Sequence, residues 1–169
     1  MATISNTSPL LYLHQTRRLD LLRRIYGQVS VAPAVLSELQ AGAALGISVP
    51  NLSDIEWLTP EQVRHPQLMP LVTDLGPGET ETIALGLEHP ASLLILDDML
   101  ARRIARAAGQ RVTGTLGVLL KVKRLGLLDN VTVAVADLRS AGMWIGDERA
   151  TNIIAQAGED PQAQEPDAS

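Results

Sequence analysis

Thr3-Ile4-Ser5-Asn6-Thr7-Ser8-Pro9-Leu10 lies a few residues from the start of the chain and sets a short apolar run against a helix start. Residues 2–5 read as a strand and Asn6 ends it. Ser8 is a good helix N-cap, and Pro9 suits the first helical position. A side chain able to offer oxygen to a cation therefore stands at the C-terminal end of a buried strand, the edge where open α/β sheets build their sites. Three acidic clusters follow at or near predicted element boundaries: Glu38, Glu79 with Glu81, and Asp97 with Asp98.

Outward from that start, short β-like runs alternate with helical patterns, which predicts a parallel sheet covered on both faces. A helical stretch over residues 9–26 breaks near residues 14–16. Its second half carries Leu19, Leu22 and Ile25 on one stripe and Arg17, Arg18, Arg23 and Arg24 towards solvent. Residues 29–31 form a second strand, and Pro33 opens a helix that ends by Gly42. Residues 55–58 read as an edge strand, and residues 60–70 as a short helix and connector. Pro77 opens a strong helix to about residue 89. Residues 93–96 form a buried strand and residues 99–108 an amphipathic helix. A last strand at 111–113 and helices over 116–125, 131–141 and 147–157 complete a single domain over residues 1–157.

The chain has 169 residues, 46% of them hydrophobic, with no Phe and no Cys. The core is therefore aliphatic, and disulfides, thiolate chemistry and Cys-ligated zinc are excluded. His14, His65 and His89 have no zinc-like spacing, so any metal would be held by oxygen, as magnesium or manganese are. The net charge of −5 overstates the acidity of the body. Glu159, Asp160, Glu165 and Asp167 supply four of the 19 acids, leaving 15 against 14 bases. Residues 158–169, without a large apolar side chain, read as a disordered acidic tail. No apolar run approaches the roughly 18–20 residues of a membrane span, and no signal-peptide pattern opens the chain, so a soluble cytoplasmic protein without a membrane partner is expected.

Each acid has a plain structural reading beside a functional one. Glu38 shares the inward side of its helix with Val35 and Leu39, either fringing the apolar face or pointing into a polar site. Glu79 falls in a helical first turn, where the macrodipole alone favours an acid. Glu81 is aimed nearer the core. Of Asp97 and Asp98, one is an N-cap and the other projects at the sheet's carboxyl edge. Several acids at one edge repel unless protonated or bridged by a cation, and a divalent ion resolves that conflict.

Five blocks carry a family likeness: Ile4-Ser5-Asn6-Thr7-Ser8-Pro9-Leu10; Pro33-Ala34-Val35-Leu36-Ser37-Glu38-Leu39; Leu75-Gly76-Pro77-Gly78-Glu79-Thr80-Glu81-Thr82-Ile83-Ala84-Leu85; Leu94-Ile95-Leu96-Asp97-Asp98-Met99-Leu100-Ala101-Arg102; and Val112-Thr113-Gly114-Thr115-Leu116-Gly117-Val118-Leu119. In this order they resemble the PIN-domain ribonucleases, the fold of bacterial VapC-type toxins. The resemblance implies a three-layer α/β/α domain with a central, mostly parallel sheet and acids gathered around Mg2+ or Mn2+ to cleave single-stranded RNA. It places the metal and catalytic positions on Asn6, Glu38, Glu81 with Glu79 beside it, and Asp97 or Asp98. Ser8 and Thr115 fall on supporting or substrate positions. Asn6 stands where the family has Asp, so the site carries one negative charge fewer, and metal affinity and catalysis are expected to be lower. The resemblance also implies a small antitoxin protein as partner and is compatible with a homodimer. Arg102, Arg103, Arg106, Lys121, Lys123 and Arg124 are the candidate RNA contacts, each otherwise a solvated helix position. The rival reading is a PIN-fold module that binds RNA or protein without cleaving. A Rossmann-like domain lacks its Gly-rich loop after the first strand.

Overall fold

The computed structural model describes residues 1–160. Five three-residue strands, β1 (Thr3–Ser5), β2 (Val29–Val31), β3 (Leu58–Pro60), β4 (Leu93–Ile95) and β5 (Arg111–Thr113), form one sheet in the order β3-β2-β1-β4-β5. Every pairing is parallel: Ile4 faces Ser30 and Leu94, Leu94 faces Val112, and Ser30 faces Thr59. The helices are α1 (Thr7–Gln15), α2 (Asp20–Tyr26), α3 (Pro33–Ala44), α4 (Pro77–Glu88), α5 (Met99–Ala107), α6 (Thr115–Arg124), α7 (Val131–Ser140) and α8 (Asp147–Gln156). This is the three-layer α/β/α class, with an all-parallel sheet. The strand order reverses between β1 and β4, so the crevice of a doubly wound sheet opens where those two strands end.

The described chain divides into two compact units, residues 1–115 and residue 116 onward. In the first, Ile4, Leu10, Leu13, Leu22, Ile83, Leu85, Leu94, Ile95 and Leu96 are fully buried. Their aliphatic runs are continuous because central parallel strands are covered on both faces.

Two expected boundaries move, each for a local reason, and the break expected near residues 14–16 holds. α1 begins at Thr7, with Asn6 in the extended N-cap position, so Ser8 and Pro9 lie inside its first turn. The break after α1 is sharpened by Arg17, whose φ of 58° is left-handed. β3 starts at Leu58, because Leu58 N turns back to Ile55 O and Trp57 O accepts from Val29 N. Pro60, which has no N–H to give, is tolerated because β3 is an edge strand.

The connector between β3 and α4 is tied to the end of α4. Glu88 Oε1 accepts from Arg64 N at 2.8 Å and His65 N at 2.6 Å, and His89 Nε2 meets Glu61. Burial pushes the Glu61 carboxyl up, but hydrogen bonds to Ser30 and His89 and the positive charge of His89 and Arg64 draw it below its usual range.

The second unit holds α7 and α8 together with α6 beyond Thr115. Glu159 belongs to it: its carboxylate accepts from Val131 N (2.7 Å), Thr132 N (2.8 Å) and Thr132 Oγ1 (2.6 Å), and Lys123 Nζ lies 3.0 Å away. Burial raises this carboxyl, but those hydrogen bonds outweigh it and bring the pKa down to about 2. The tail expected from residue 158 thus begins with an acid that accepts from the first turn of α7, beside the N-cap Asn130, and residues 161–169 lie outside the described residues.

Candidate active site

The carboxyl edge of the sheet gathers polar side chains at three neighbouring strand ends. Asn6 follows β1, Asp97 follows β4 and Thr115 follows β5. Their backbones are locked together: Asn6 N donates to Ile95 O at 3.1 Å and Leu96 N to Thr113 O at 2.9 Å.

On the β1 side, Asn6 is 1% exposed. Its Nδ2 donates to Glu79 Oε1 at 2.7 Å, whereas its Oδ1 is buried with no hydrogen-bond partner. Glu38 reaches the same place from α3. One of its oxygens accepts from Thr7 Oγ1, and the other from Gly78 N at 2.9 Å. Gly78 shows how tight the convergence is. A Cβ there would stand 2.6 and 2.9 Å from the Glu38 oxygens and 2.7 Å from Asn6 Oδ1. Only glycine leaves room for three acceptor oxygens around the first turn of α4. Gly76 is similar: its missing Cβ faces the Glu79 carboxylate, with Glu38 Oε1 at 3.9 Å.

On the β4 side, the two aspartates divide their work. Asp98 is the N-cap of α5, its Oδ1 accepting from Ala101 N at 2.8 Å. Asp97 turns to the neighbouring strand end, where its oxygens accept from Thr115 N at 2.7 Å and Thr115 Oγ1 at 2.6 Å. Thr115 itself is fully buried. Arg102 comes back from α5 to this spot. A Cβ on Gly114 would stand 2.6 Å from Arg102 Nη1 and 2.9 Å from Asp97 Oδ1.

Glu81 points elsewhere. Its Oε2 accepts from Ala34 N in the first turn of α3, at 2.7 Å. Residues two apart on an α-helix diverge by roughly 200° around its axis, so Glu79 and Glu81 cannot serve one point. It is Glu79 that meets Asn6. The two glutamates Glu38 and Glu81 consequently form a reciprocal pair, each helix supplying an acceptor to the first turn of the other. Such N-terminal N–H groups carry the positive end of a helix dipole and favour an anion.

The structure thus joins Asn6, Glu38 and Glu79 in one cluster and Asp97 and Thr115 in a second, and gives Glu81 and Asp98 backbone partners of their own. Ser8 is half-buried in the first turn of α1. Among the described residues no three Asp, Glu or His side chains are drawn together tightly enough to hold a metal ion by themselves. The β1-side cluster supplies two carboxylates and an amide oxygen instead. Its chemistry fits a hard divalent cation, which oxygen ligands prefer, and the partnerless Asn6 Oδ1 is the acceptor that such a cation would satisfy. A groove of about 470 Å³ between α3 and residues 49–60, lined by Leu36, Leu39, Ala43, Val49 and Leu52, contains no acid and lies apart from this chemistry.

Of the expected RNA contacts, Arg103 and Arg106 on α5 and Lys121 and Arg124 on α6 are exposed. Arg102 is half-buried beside Gly114, and Lys123 is engaged with Asp129 O and Glu159. Thr7, Gly76, Gly78 and Gly114 were not foreseen as site residues. Their signal was available only as small residues placed beside acids.

A family model described as a PIN domain matches residues 2–159. No curated protein and no solved structure matches the chain.

Proposed function

This chain belongs to the PIN-domain family, a nuclease-type fold, and on that premise we propose that it is a metal-dependent endoribonuclease acting on single-stranded RNA. The carrying observation is the partnerless, buried Asn6 Oδ1, which converges with the Glu38 carboxylate on Gly78, an acceptor set that suits a cation. Asn6, Glu38 and Glu79 would hold the ion. When bound, magnesium or manganese supplies Lewis-acid chemistry, activating a water and offsetting charge at a scissile phosphate.

The chain's own residues do the positioning. Thr7 Oγ1 and Gly78 N orient Glu38, and Thr115 orients Asp97. In the reaction a water oxygen bonds to phosphorus, the bond from phosphorus to the 3′ oxygen breaks, and that oxygen leaves carrying a proton. The products are a 3′-hydroxyl and a 5′-phosphate. Exposed Arg103 and Arg106 on α5 are placed to meet the RNA backbone, whose binding should weaken with salt. Glu81 and Asp98, expected as ligands, act in this reading through Ala34 N and Ala101 N.

The likeness of the five sequence blocks to VapC-type toxins supports the toxin half of a bacterial type II toxin–antitoxin pair, with a small antitoxin as partner and a homodimer as the assembly. A cytoplasmic location goes with that role. No helix among the described residues is long and apolar enough to cross a membrane. Asn6 favours one rival, a PIN-fold module that binds RNA or protein and no longer cleaves, because an amide contributes no charge to the site.

Cleavage of single-stranded RNA in manganese, with wild type and Glu38→Gln side by side, decides between them. Manganese-dependent cleavage lost in the variant supports the nuclease. RNA binding without cleavage in both proteins supports the module.

A further inference from the structure

We propose that this site takes one divalent ion, not two, and that the Arg102 guanidinium beside Asp97 is its fixed second cation. The inference rests on the nuclease reading above and adds to it a stoichiometry and a role for one residue.

Charge is the first ground. Glu38 and Glu79 stand with Asn6 at the end of β1 and Asp97 with Thr115 at the end of β4, while Glu81 and Asp98 are taken up by Ala34 N and Ala101 N. Asn6 contributes an oxygen and no charge. Three carboxylates against one guanidinium leave two uncompensated negative charges, which one divalent ion neutralises and a second would overshoot.

Geometry is the second ground. The partnerless acceptor, Asn6 Oδ1, lies with Glu38 on the β1 side. On the β4 side nothing comparable is open to a cation. Asp97 already accepts two hydrogen bonds from Thr115, and Arg102 Nη1 shares the narrow space over Gly114 with Asp97 Oδ1. The absence of a Cβ at Gly114 is what admits the guanidinium. A planar fork of N–H donors suits a phosphate's oxygens, so Arg102 can offset the charge that a second ion would otherwise meet.

The full chain is titrated with Mn2+, counting bound ions by calorimetry and by the free-ion resonance signal, and cleavage of single-stranded RNA is measured alongside. Wild type should bind one ion per chain, and Glu38→Gln should bind none. Arg102→Gln should admit a second, weaker ion at the uncovered Asp97 and lose cleavage on the order of 100-fold. Arg102→Lys keeps the charge and guards against a folding failure: it should retain one ion while losing part of the rate, since an ammonium cannot fork two oxygens. Two ions in wild type, two in Arg102→Lys, or full cleavage with one ion in Arg102→Gln would each overturn the proposal. Cleavage supported by two ions leaves the nuclease reading standing and removes only this inference. Neither binding nor cleavage in wild type removes both.

Discussion

Restoring an acid at position 6 tests the site where its chemistry is most exposed. In Asn6→Asp the amide nitrogen 2.7 Å from Glu79 becomes an oxygen, at a residue 1% exposed and with Glu38 on its other side. The lost hydrogen bond to a charged group is worth about 1.5–3 kcal/mol. Two like charges at about 4 Å and an effective dielectric near 20 repel by roughly 4 kcal/mol, part of which rotamer changes relieve. Metal-free Asn6→Asp should therefore be less stable than wild type by about 3–5 kcal/mol. At roughly 2–4 °C per kcal/mol for a chain of this size, its melting temperature should fall by on the order of 10 °C.

Saturating manganese should reverse most of that loss. Binding stabilises by RT ln(1 + [L]/Kd), about 2.7 kcal/mol at 100 times Kd, and the added charge should lower Kd. Lowering the pH should also narrow the metal-free deficit. Crowded carboxylates have raised native pKa values, so the native variant binds a proton that the unfolded chain does not, and the penalty grows as pH rises through that value. Thermal unfolding of both proteins, with and without manganese at two pH values, measures all of this. A metal-free variant as stable as wild type, with no larger gain from manganese, would refute the reasoning and leave Asn6 as a strand-end residue.

Three further outcomes follow from the same geometry. Glu159→Ala should destabilise the chain by about 1–3 kcal/mol in urea unfolding near neutral pH, because Val131 N and Thr132 N lose their acceptor. Since the Glu159 pKa is depressed to about 2, its contribution should be complete above the ordinary carboxylate range and disappear as pH falls from about 4.5 through about 2 in wild-type unfolding curves, and the variant should lack that segment. Gly78→Ala should cost the manganese-dependent rise in melting temperature, since the added methyl meets Glu38 and Asn6 at 2.6–2.9 Å; an unchanged manganese response would count against the cluster. Glu81→Gln should keep near-wild-type stability and cleavage because an amide oxygen still accepts from Ala34 N, whereas Glu81→Ala should lose about 1–2 kcal/mol in thermal unfolding.

Much of this architecture is legible in residue order. Leu93-Leu94-Ile95-Leu96 reads as a covered strand because every side chain is apolar, and all four are buried. Pro33 and Pro77 mark the true starts of α3 and α4, where a missing N–H costs nothing. Local rules failed where tertiary contacts decide. Ser8 looks like a cap, yet Asn6, whose N–H bonds to Ile95 O at the end of β1, takes the N-cap position two residues earlier and the helix begins at Thr7. The Asp97–Asp98 pair was readable as one cap and one projecting acid, although which was which depends on Thr115, 18 residues away. The Glu79–Glu81 order was harder still. Helical geometry says that only one can face Asn6, and the choice is fixed by how α4 lies against α3, which no local pattern encodes. Backbone donors such as Gly78 N and Ala34 N are equally invisible in a sequence, because every residue but proline has one.

The reciprocal caps explain how the proposed site can exist without an ion. Buried carboxylates without partners are costly, and an acid cluster held together only by a metal would leave the metal-free chain short of stability. Here Glu38 takes Gly78 N and the Thr7 hydroxyl, Glu79 takes the Asn6 amide, and Asp97 takes Thr115. Each acid has a donor from the protein, and the first turns of α3 and α4 gain acceptors they would otherwise lack. Asn6 extends that logic to strand β1. As an amide it supplies Glu79 with a donor that an aspartate could not, and its remaining oxygen lies with the Glu38 carboxylate around Gly78. The chain thereby exchanges one negative charge for a cluster whose carboxylates each have a protein donor, with Asn6 Oδ1 the acceptor left without one among its described residues. On the proposed reading, Asn6 Oδ1 is where a cation would have most to gain and where displacing existing hydrogen bonds would cost least.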